Sequence, residues 1–448
     1  MKKILSYALL TYLRLCAQLQ LKKMGAQVIG ITGSAGKSST MEAVAAILQD
    51  KYTIKVGRKA NSESGIPLNI LGLEPKNFTP REWLSLALRA PLQLLTNWKK
   101  YDWYLVEMGI DSPFPPKNMG YLLKIVVPTI GILTTVEAVH SDAFDPVVSE
   151  SDPALRKNAL ITEIAREKAR LINALPKTGL AVITADNPFV VAACSPQAPL
   201  ATFGTHDRAT VRILATEYQK ESTLFHFQSH KKDYSISFTG YYLPTHFADT
   251  CAAALCVAEH IGIPLDEACR AIEKNYLVPP GRATLLQAVN GARILDSSYN
   301  SSAQPLLDLL AVLTKIPAQR KLALLGDMRE LGSMAKEEHV RIATAATKIL
   351  DEVVLIGPNM KEYALPVFEA AGLTAHWFST AYQAALYLKA NLRTDDILLV
   401  KSSQNTLLLE IAIAELLKDP TEIETKLCRR GSFWDSQRKK LISPPATA

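Results

Sequence analysis

The spacing of apolar residues changes period several times along the chain. Residues 4–23 place Leu5, Leu9, Tyr12, Leu13, Cys16 and Leu19 at helical spacing, which predicts one amphipathic helix. Residues 26–32 form a short β-branched run that ends in a Gly-rich turn, and a helical pattern then begins at Lys37 and runs through Met41, Val44 and Leu48. Apolar runs at 104–108, 129–134 and 180–184 predict buried strands, with a helix at 154–175 and a turn at Asp186-Asn187-Pro188. Alternation between 211 and 238 predicts a few antiparallel strands added to that sheet, and 247–261 is Ala-rich and helical. A break falls at Val278-Pro279-Pro280-Gly281. Beyond it, strands near 292–295, 322–325, 353–356, 375–378 and 397–400 alternate with helical segments, the pattern of a doubly wound α/β domain.

Composition narrows the picture. A chain of 448 residues with 48% hydrophobic and 21% charged residues is an ordinary globular protein of two or three domains. The net charge of +7 suits anionic substrates such as nucleotides, but no stripe of Lys and Arg with interleaved aromatics points to nucleic acid. Six scattered cysteines without a CxxC pair read as free thiols in a reducing cytosol. Lys2, Lys3 and the apolar stretch after them resemble a signal peptide, but Arg14 interrupts it and a phosphate loop follows, so a cytoplasmic location is expected. The helix at 4–23 is expected to pack on the protein's own core, with an interfacial membrane helix or a partner-docking helix as the alternatives.

The chemistry centres on Gly33-Ser34-Ala35-Gly36-Lys37-Ser38-Ser39. Glycines let backbone N–H groups approach phosphate oxygens, and the helix beginning at Lys37 adds the positive end of its dipole. In this strand–loop–helix context Lys37 neutralises the β/γ-phosphates of ATP and Ser38 offers a hydroxyl to Mg²⁺. Ile31 stands where the longer form of the loop has glycine, so this is the shortened GxxGKS variant. Glu107, at the tip of a buried strand, is placed to hold the same metal. The expected fold is therefore α/β: an N-terminal helix over 1–25, a central P-loop ATPase domain with a mostly parallel sheet over 26–279, a C-terminal Rossmann-like doubly wound domain over 280–428, and a basic, partly disordered tail over 429–448.

From Val28 to about Glu415 the chain resembles the Mur ligase family. Asn61-Ser62-Glu63-Ser64-Gly65-Ile66-Pro67 is similar to its Asn-x-x-x-Gly-x-Pro segment, and Val106-Glu107-Met108-Gly109 to its metal-binding strand. Leu133-Thr134-Thr135 leading to His140 resembles the segment that supplies a metal-binding histidine, and Ile164-Ala165-Arg166-Glu167-Lys168 the helix bearing a carbamylated lysine. Gly281-Arg282 opens the C-terminal domain as in the family, and Asp296-Ser297-Ser298-Tyr299-Asn300 and the run from Leu325-Gly326-Asp327 to Gly332 are similar to the branch that adds D-alanyl-D-alanine in peptidoglycan precursor synthesis. The resemblance implies an ADP-forming acid–amino-acid ligase that works through an acyl-phosphate. A second metal would be held by His140, Glu107 and carbamylated Lys168. Arg282, Asp296 and Asn300 would contact the nucleotide, and Asn61, Lys401 and Ser403 the substrates. The partners implied are a carboxylate acceptor and an amino donor, small molecules or peptides, with the enzyme acting as a monomer.

Several positions depart from the family pattern. About thirty residues precede Gly33, too few for the UDP-sugar-binding domain that members place there. Lys401-Ser402-Ser403-Gln404 stands in place of Lys-Gly-Ser-Arg and lacks that arginine's bidentate grip on a carboxylate. His246-Phe247-Ala248-Asp249-Thr250 occupies the place of a His-Asn-x-x-Asn segment that touches the nucleotide, and Arg170 that of an acid. Two alternatives follow: an amide ligase of the same scaffold acting on a lipid-linked or non-cell-wall acid, and a non-catalytic nucleotide-binding scaffold.

Overall fold

A computed structural model describes residues 2–77, 79–137, 143–150, 152–329, 331–403 and 407–442. His140, Glu330 and Gln404 lie outside the described residues. The chain divides into two compact units, one of Met1–Ala215, Phe225–Ile236 and His246–Tyr276, the other of Thr216–Leu224, Ser237–Thr245 and Leu277–Ala448.

The first unit is organised by β1 (Gln27–Thr32), β2 (Ile54–Val56), β3 (Trp103–Glu107), β4 (Ile130–Leu133), β5 (Leu180–Thr184) and β6 (Leu200–Gly204). They lie in the order β2-β3-β1-β4-β5-β6, all parallel. β1, β3, β4 and β5 are buried almost throughout, which is why they read as continuous apolar runs rather than as alternating ones. The same sheet continues through β7 (Val211–Tyr218), β8 (Ser222–Ser229) and β9 (Lys232–Thr239). The connections between these three are far too short for a parallel crossover, so they form the expected antiparallel meander.

Among the described residues the α-helices of this unit are α1 (Lys2–Met24), α2 (Lys37–Leu48), α3 (Gly65–Leu71), α4 (Pro80–Thr96), α5 (Met119–Ile125), α6 (Pro153–Asn173), α7 (Pro188–Ala193), α8 (Phe247–His260) and α9 (Leu265–Asn275). α1 packs against α3, α4 and α5. Its buried seam is Leu13, Cys16, Ala17, Gln20 and Met24, whereas Tyr12 and Leu19, expected on the inner face, are exposed. Polar and apolar residues are interleaved around the helix, so periodicity alone does not choose the face. Asn187 and Pro188 do not form an open turn. The Asn187 side chain accepts from the N–H groups of Phe189 and Val190 and caps α7, with Pro188 at its first position.

In the second unit β10 (Thr284–Gln287), β11 (Arg293–Asp296), β12 (Lys321–Gly326), β13 (Glu352–Ile356), β14 (Thr374–Phe378) and β15 (Ile397–Lys401) lie in the order β10-β11-β15-β12-β13-β14. Only β10 is antiparallel. β15 inserts between β11 and β12, so the carboxyl ends of these three strands meet at a topological switch point, where open α/β sheets bind ligands. Within the basic C-terminal stretch Ser432–Ile442 is helical, and Arg438 within it donates to Asp435 and to the Arg429 carbonyl. Among the described residues no helix is long and apolar enough to cross a membrane.

Candidate active site

The loop between β1 and α2 is shaped by contacts that leave no room for side chains. Gly33 has φ of 148°, and a Cβ there would lie 1.9 Å from the Thr134 hydroxyl. That hydroxyl, just beyond β4, donates to the Ala35 carbonyl at 2.6 Å, and the Ser34 N–H donates to the Thr135 carbonyl at 2.7 Å. Gly36 takes the left-handed conformation (φ 78°) at the start of α2 and supplies no side-chain cap. The first-turn N–H groups are therefore uncapped by any side chain, which is the cradle a phosphate needs. Ser38 is exposed on that turn and Ser39 half-buried. Lys37 reaches back to the Gly33 carbonyl at 2.8 Å, and burial pushes its pKa below the ordinary lysine value against the opposing charges of Glu107 and Asp111. Gly33→Ala is expected to destabilise the protein by about 2 kcal/mol, through overpacking and positive-φ strain, and to remove the ADP-induced rise in melting temperature. An unchanged thermal shift in that variant would contradict the cradle.

Glu107 ends β3 opposite Ile31 of β1 and is 7% exposed. Lys168 on α6 is not the solvated lysine that the charge-rich helix allowed. It is 5% exposed, and its Nζ lies 3.1 Å from the Gly33 carbonyl. Burial, then the charge of Lys37, lowers its pKa to about 7, with Asp111 acting in the opposite sense. A cavity of about 100 Å³ brings Gly33, Lys37, Asn61, Gly109, Asp111 and Lys168 together. The Asn61 carbonyl accepts from the Gly109 N–H at 2.9 Å, so the Asn61 segment is stitched to the loop after β3. Asp111 carries charge toward both lysines and was not singled out from sequence. Its position four residues past Glu107, in the Gly109-Ile110-Asp111 loop, was the available signal.

Glu167, beside Lys168, faces elsewhere. It accepts from the Met119 N–H at 2.8 Å and pairs with Arg170 at 3.0 Å, so Arg170 is occupied within its own helix. Among the described residues no three His, Cys, Asp or Glu side chains group as metal ligands. Hard oxygen donors of the kind Mg²⁺ takes are the Ser38 hydroxyl on the first turn of α2 and the carboxylates of Glu107 and Asp111, both of which act on Lys37.

Asp249 on α8 carries a further charge of this unit. Burial, and then the nearby Asp186, raises its pKa to about 7. Asp186 is itself fixed by the Thr205 N–H at 2.6 Å, the Thr205 hydroxyl at 2.9 Å and the His206 N–H at 3.1 Å. Between pH 4 and 7 the folded chain thus holds a proton at Asp249 that the unfolded chain releases, and stability falls as pH rises through that window. Asp249→Asn is expected to stabilise the fold by on the order of 1–4 kcal/mol at pH 8 and by less at pH 5, measured by chemical denaturation.

In the second unit a cluster forms at the carboxyl ends of β11, β12 and β15. Asp296 is fully buried, accepts from the Ser298 N–H at 2.9 Å, and its other oxygen has no partner among the described residues. Burial raises its pKa to about 6. Lys401, 4% exposed, donates to the Asn300 carbonyl at 2.8 Å and the Ser297 hydroxyl at 3.3 Å, and burial lowers its pKa to about 8. Ser403 donates to the Ser301 carbonyl and accepts from the Arg329 N–H, both at 2.9 Å. Asn300 is exposed, with its side-chain oxygen on the Ser301 N–H at 2.8 Å. Arg282 is exposed and stacks over the Tyr299 ring at 5.0 Å. Asp327 is a loop organiser, accepting from the N–H groups of Asn359 and Met360.

Comparison with known proteins gives this arrangement its relatives. Residues 31–258 match the Mur ligase middle domain and residues 281–404 the Mur ligase glutamate ligase domain. The chain is 24% identical over 417 residues to the UDP-N-acetylmuramoyl-tripeptide–D-alanyl-D-alanine ligase of Bacillus subtilis, covering 92% of this chain and 80% of that protein. It is 24% identical over 403 residues to the ligase of the same name from Escherichia coli, covering 88% and 77%. The fold is similar to that of the MurF ligase from Thermotoga maritima in complex with ADP, with a TM-score of 0.67, 21% identity, and coverage of 93% of this chain and 84% of that one. With both domain models matched in order along most of its length, the chain belongs to the Mur ligase family.

Proposed function

We propose that the protein is an ATP-dependent, ADP-forming ligase that joins a carboxylic acid to an amine through an acyl-phosphate, in peptidoglycan precursor synthesis. The observation that carries this reading is the meeting of half-buried Lys37 and buried Lys168 on one phosphate-loop carbonyl, with Asp111 in the same cavity. A mere nucleotide-binding scaffold has no use for a second, buried lysine held at a pKa of about 7. Lys168 with an ordinary neutral amine can add to CO₂: its nitrogen forms the N–C bond, one proton leaves to solvent, and a carboxylate-like anion remains.

The chemistry required is the approach of an acid to an already anionic γ-phosphate. Two unit charges ~4 Å apart repel by about 4 kcal/mol at an effective dielectric near 20. Lys37 and the loop N–H groups offset this by holding the phosphates in a site of restricted solvent. Ser38, Glu107 and a carbamylated Lys168, with His140, are the proposed holders of Mg²⁺, which supplies further charge neutralisation when bound. The acid's oxygen then takes the terminal phosphoryl group as ADP leaves, the amine adds to the acyl carbon, and phosphate departs. Asn61, Lys401 and Ser403 are proposed substrate contacts, and Arg282, Asp296 and Asn300 nucleotide contacts. We read D-alanyl-D-alanine as the amine and a UDP-muramoyl peptide as the acid, from the named relatives and the run 325–332. ADP release measured with both, with each alone, and with other acid and amine pairs tests this. Release that requires both partners supports the reading, and release indifferent to acid and amine sinks it.

A further inference from the structure

We propose that the outer face of α4 docks on the surface of an anionic phospholipid bilayer. This inference does not rest on the ligase reading. α4 is apolar on two opposite faces. Its inner face buries Leu86 and Ala90, whereas Leu84, Leu88, Leu92 and Leu95, at spacings of four, four and three, are 64%, 70%, 55% and 73% exposed on the outside. Trp98 extends the stripe at 69% exposure. A surface helix ordinarily spends its outer face on charged residues, and a contiguous leucine stripe marks an interaction site.

The face is presented rigidly. α1 lies behind it, with the Tyr12 hydroxyl donating to the Ala87 carbonyl at 2.9 Å, the Gln20 amide to the Asn97 carbonyl at 3.1 Å, and the Lys23 ammonium to the Leu94 carbonyl at 2.6 Å. The helix spans 17 residues, and no described helix is apolar enough to cross a bilayer, so an in-plane position at the interface is the geometry available.

Charge selects the occupant. Between Pro80 and Tyr101 the cations Arg81, Arg89, Lys99 and Lys100 face a single acid, Glu82. Its carboxylate is occupied by the N–H groups of Lys76 and Asn77. The Lys23 ammonium lies 3.5 Å from the Trp98 ring centre, so an amphipathic ring and a cation sit together at the end of the stripe. Leucines flanked by long cationic stems and an interfacial tryptophan complement acyl chains beneath a sheet of phosphates.

The full chain should co-sediment with phosphatidylglycerol-containing vesicles, at least tenfold more strongly than with phosphatidylcholine vesicles, and binding should weaken as salt is raised. The variant Leu88→Glu/Leu95→Glu, on outward positions, should lose at least tenfold in vesicle affinity while keeping its melting temperature. Lys99→Glu/Lys100→Glu should weaken binding without touching the leucines. The proposal is overturned if the wild-type chain ignores anionic vesicles, or if both variants bind them as the wild type does. It is equally overturned if the leucine variant instead abolishes a concentration-dependent dimer of a chain that does not bind lipid.

Discussion

Lys37→Ala is expected to lower turnover by about 10²–10³-fold or more, the scale seen when one preorganised charge-stabilising donor is removed, while the protein stays folded. The Lys37 ammonium is half-buried and held by the Gly33 and Ser34 carbonyls at 2.8 and 3.4 Å. Losing those bonds from a charged donor costs the fold about 1.5–3 kcal/mol each, and removing a charge whose burial already depresses its pKa offsets part of this. The reaction has no such compensation, because the anionic acid still has to approach the anionic phosphate. Steady-state rates beside a circular-dichroism melt separate the two effects. Full activity in the variant would refute the phosphate-loop assignment.

Lys168→Ala is expected to be nearly inactive and to regain activity when a short carboxylate such as formate or acetate is added. The wild type should lose activity as pH falls through about 7, because the protonated ammonium cannot add to CO₂, and should lose it again when bicarbonate is stripped from the buffer. Carbon-13 bicarbonate should give a carbamate resonance in the wild type that Lys168→Ala lacks, a readout independent of turnover. A stability effect of defined sign accompanies this. The folded pKa is about 7 against the ordinary lysine value of 10.5, so between those values the unfolded chain binds the extra proton. Stability therefore rises with pH across that window in the uncarbamylated protein, and Lys168→Ala should flatten the rise. A variant with wild-type rates and no bicarbonate dependence would rule out the carbamate.

Much of this architecture was legible because parallel strands buried on both faces leave unbroken apolar runs. β1, β3, β4 and β5, and β11 to β15 of the second unit, stand close to where the pattern put them. The burial of α4 was not legible, for an equally physical reason: its apolar positions wrap well over half of the helix, so the pattern does not tell the buried Leu86 from the exposed Leu84 and Leu88. The inner face of α1 was misjudged for the same cause, since Tyr12 and Leu19 are as apolar as the Leu13 and Ala17 that are buried. In the site, the loop from Gly33 to Ser38 could be read from spacing, because only glycine fits against Thr134. Asp111 could not, because a lone acid in a loop looks like any solvated acid until the fold turns it toward two lysines. Lys168 was singled out only through the resemblance, because α6 is charge-rich and the buried position of this residue depends on which side of the helix meets the phosphate loop.

The most direct test of the acyl-phosphate route uses an acid substrate carrying ¹⁸O in its reacting carboxylate. UDP-muramoyl tripeptide so labelled, with ATP and D-alanyl-D-alanine, should yield phosphate bearing one atom of ¹⁸O, because the carboxylate oxygen that takes the phosphoryl group leaves with it. Unlabelled phosphate accompanying amide formation, or label found in AMP, would contradict the account.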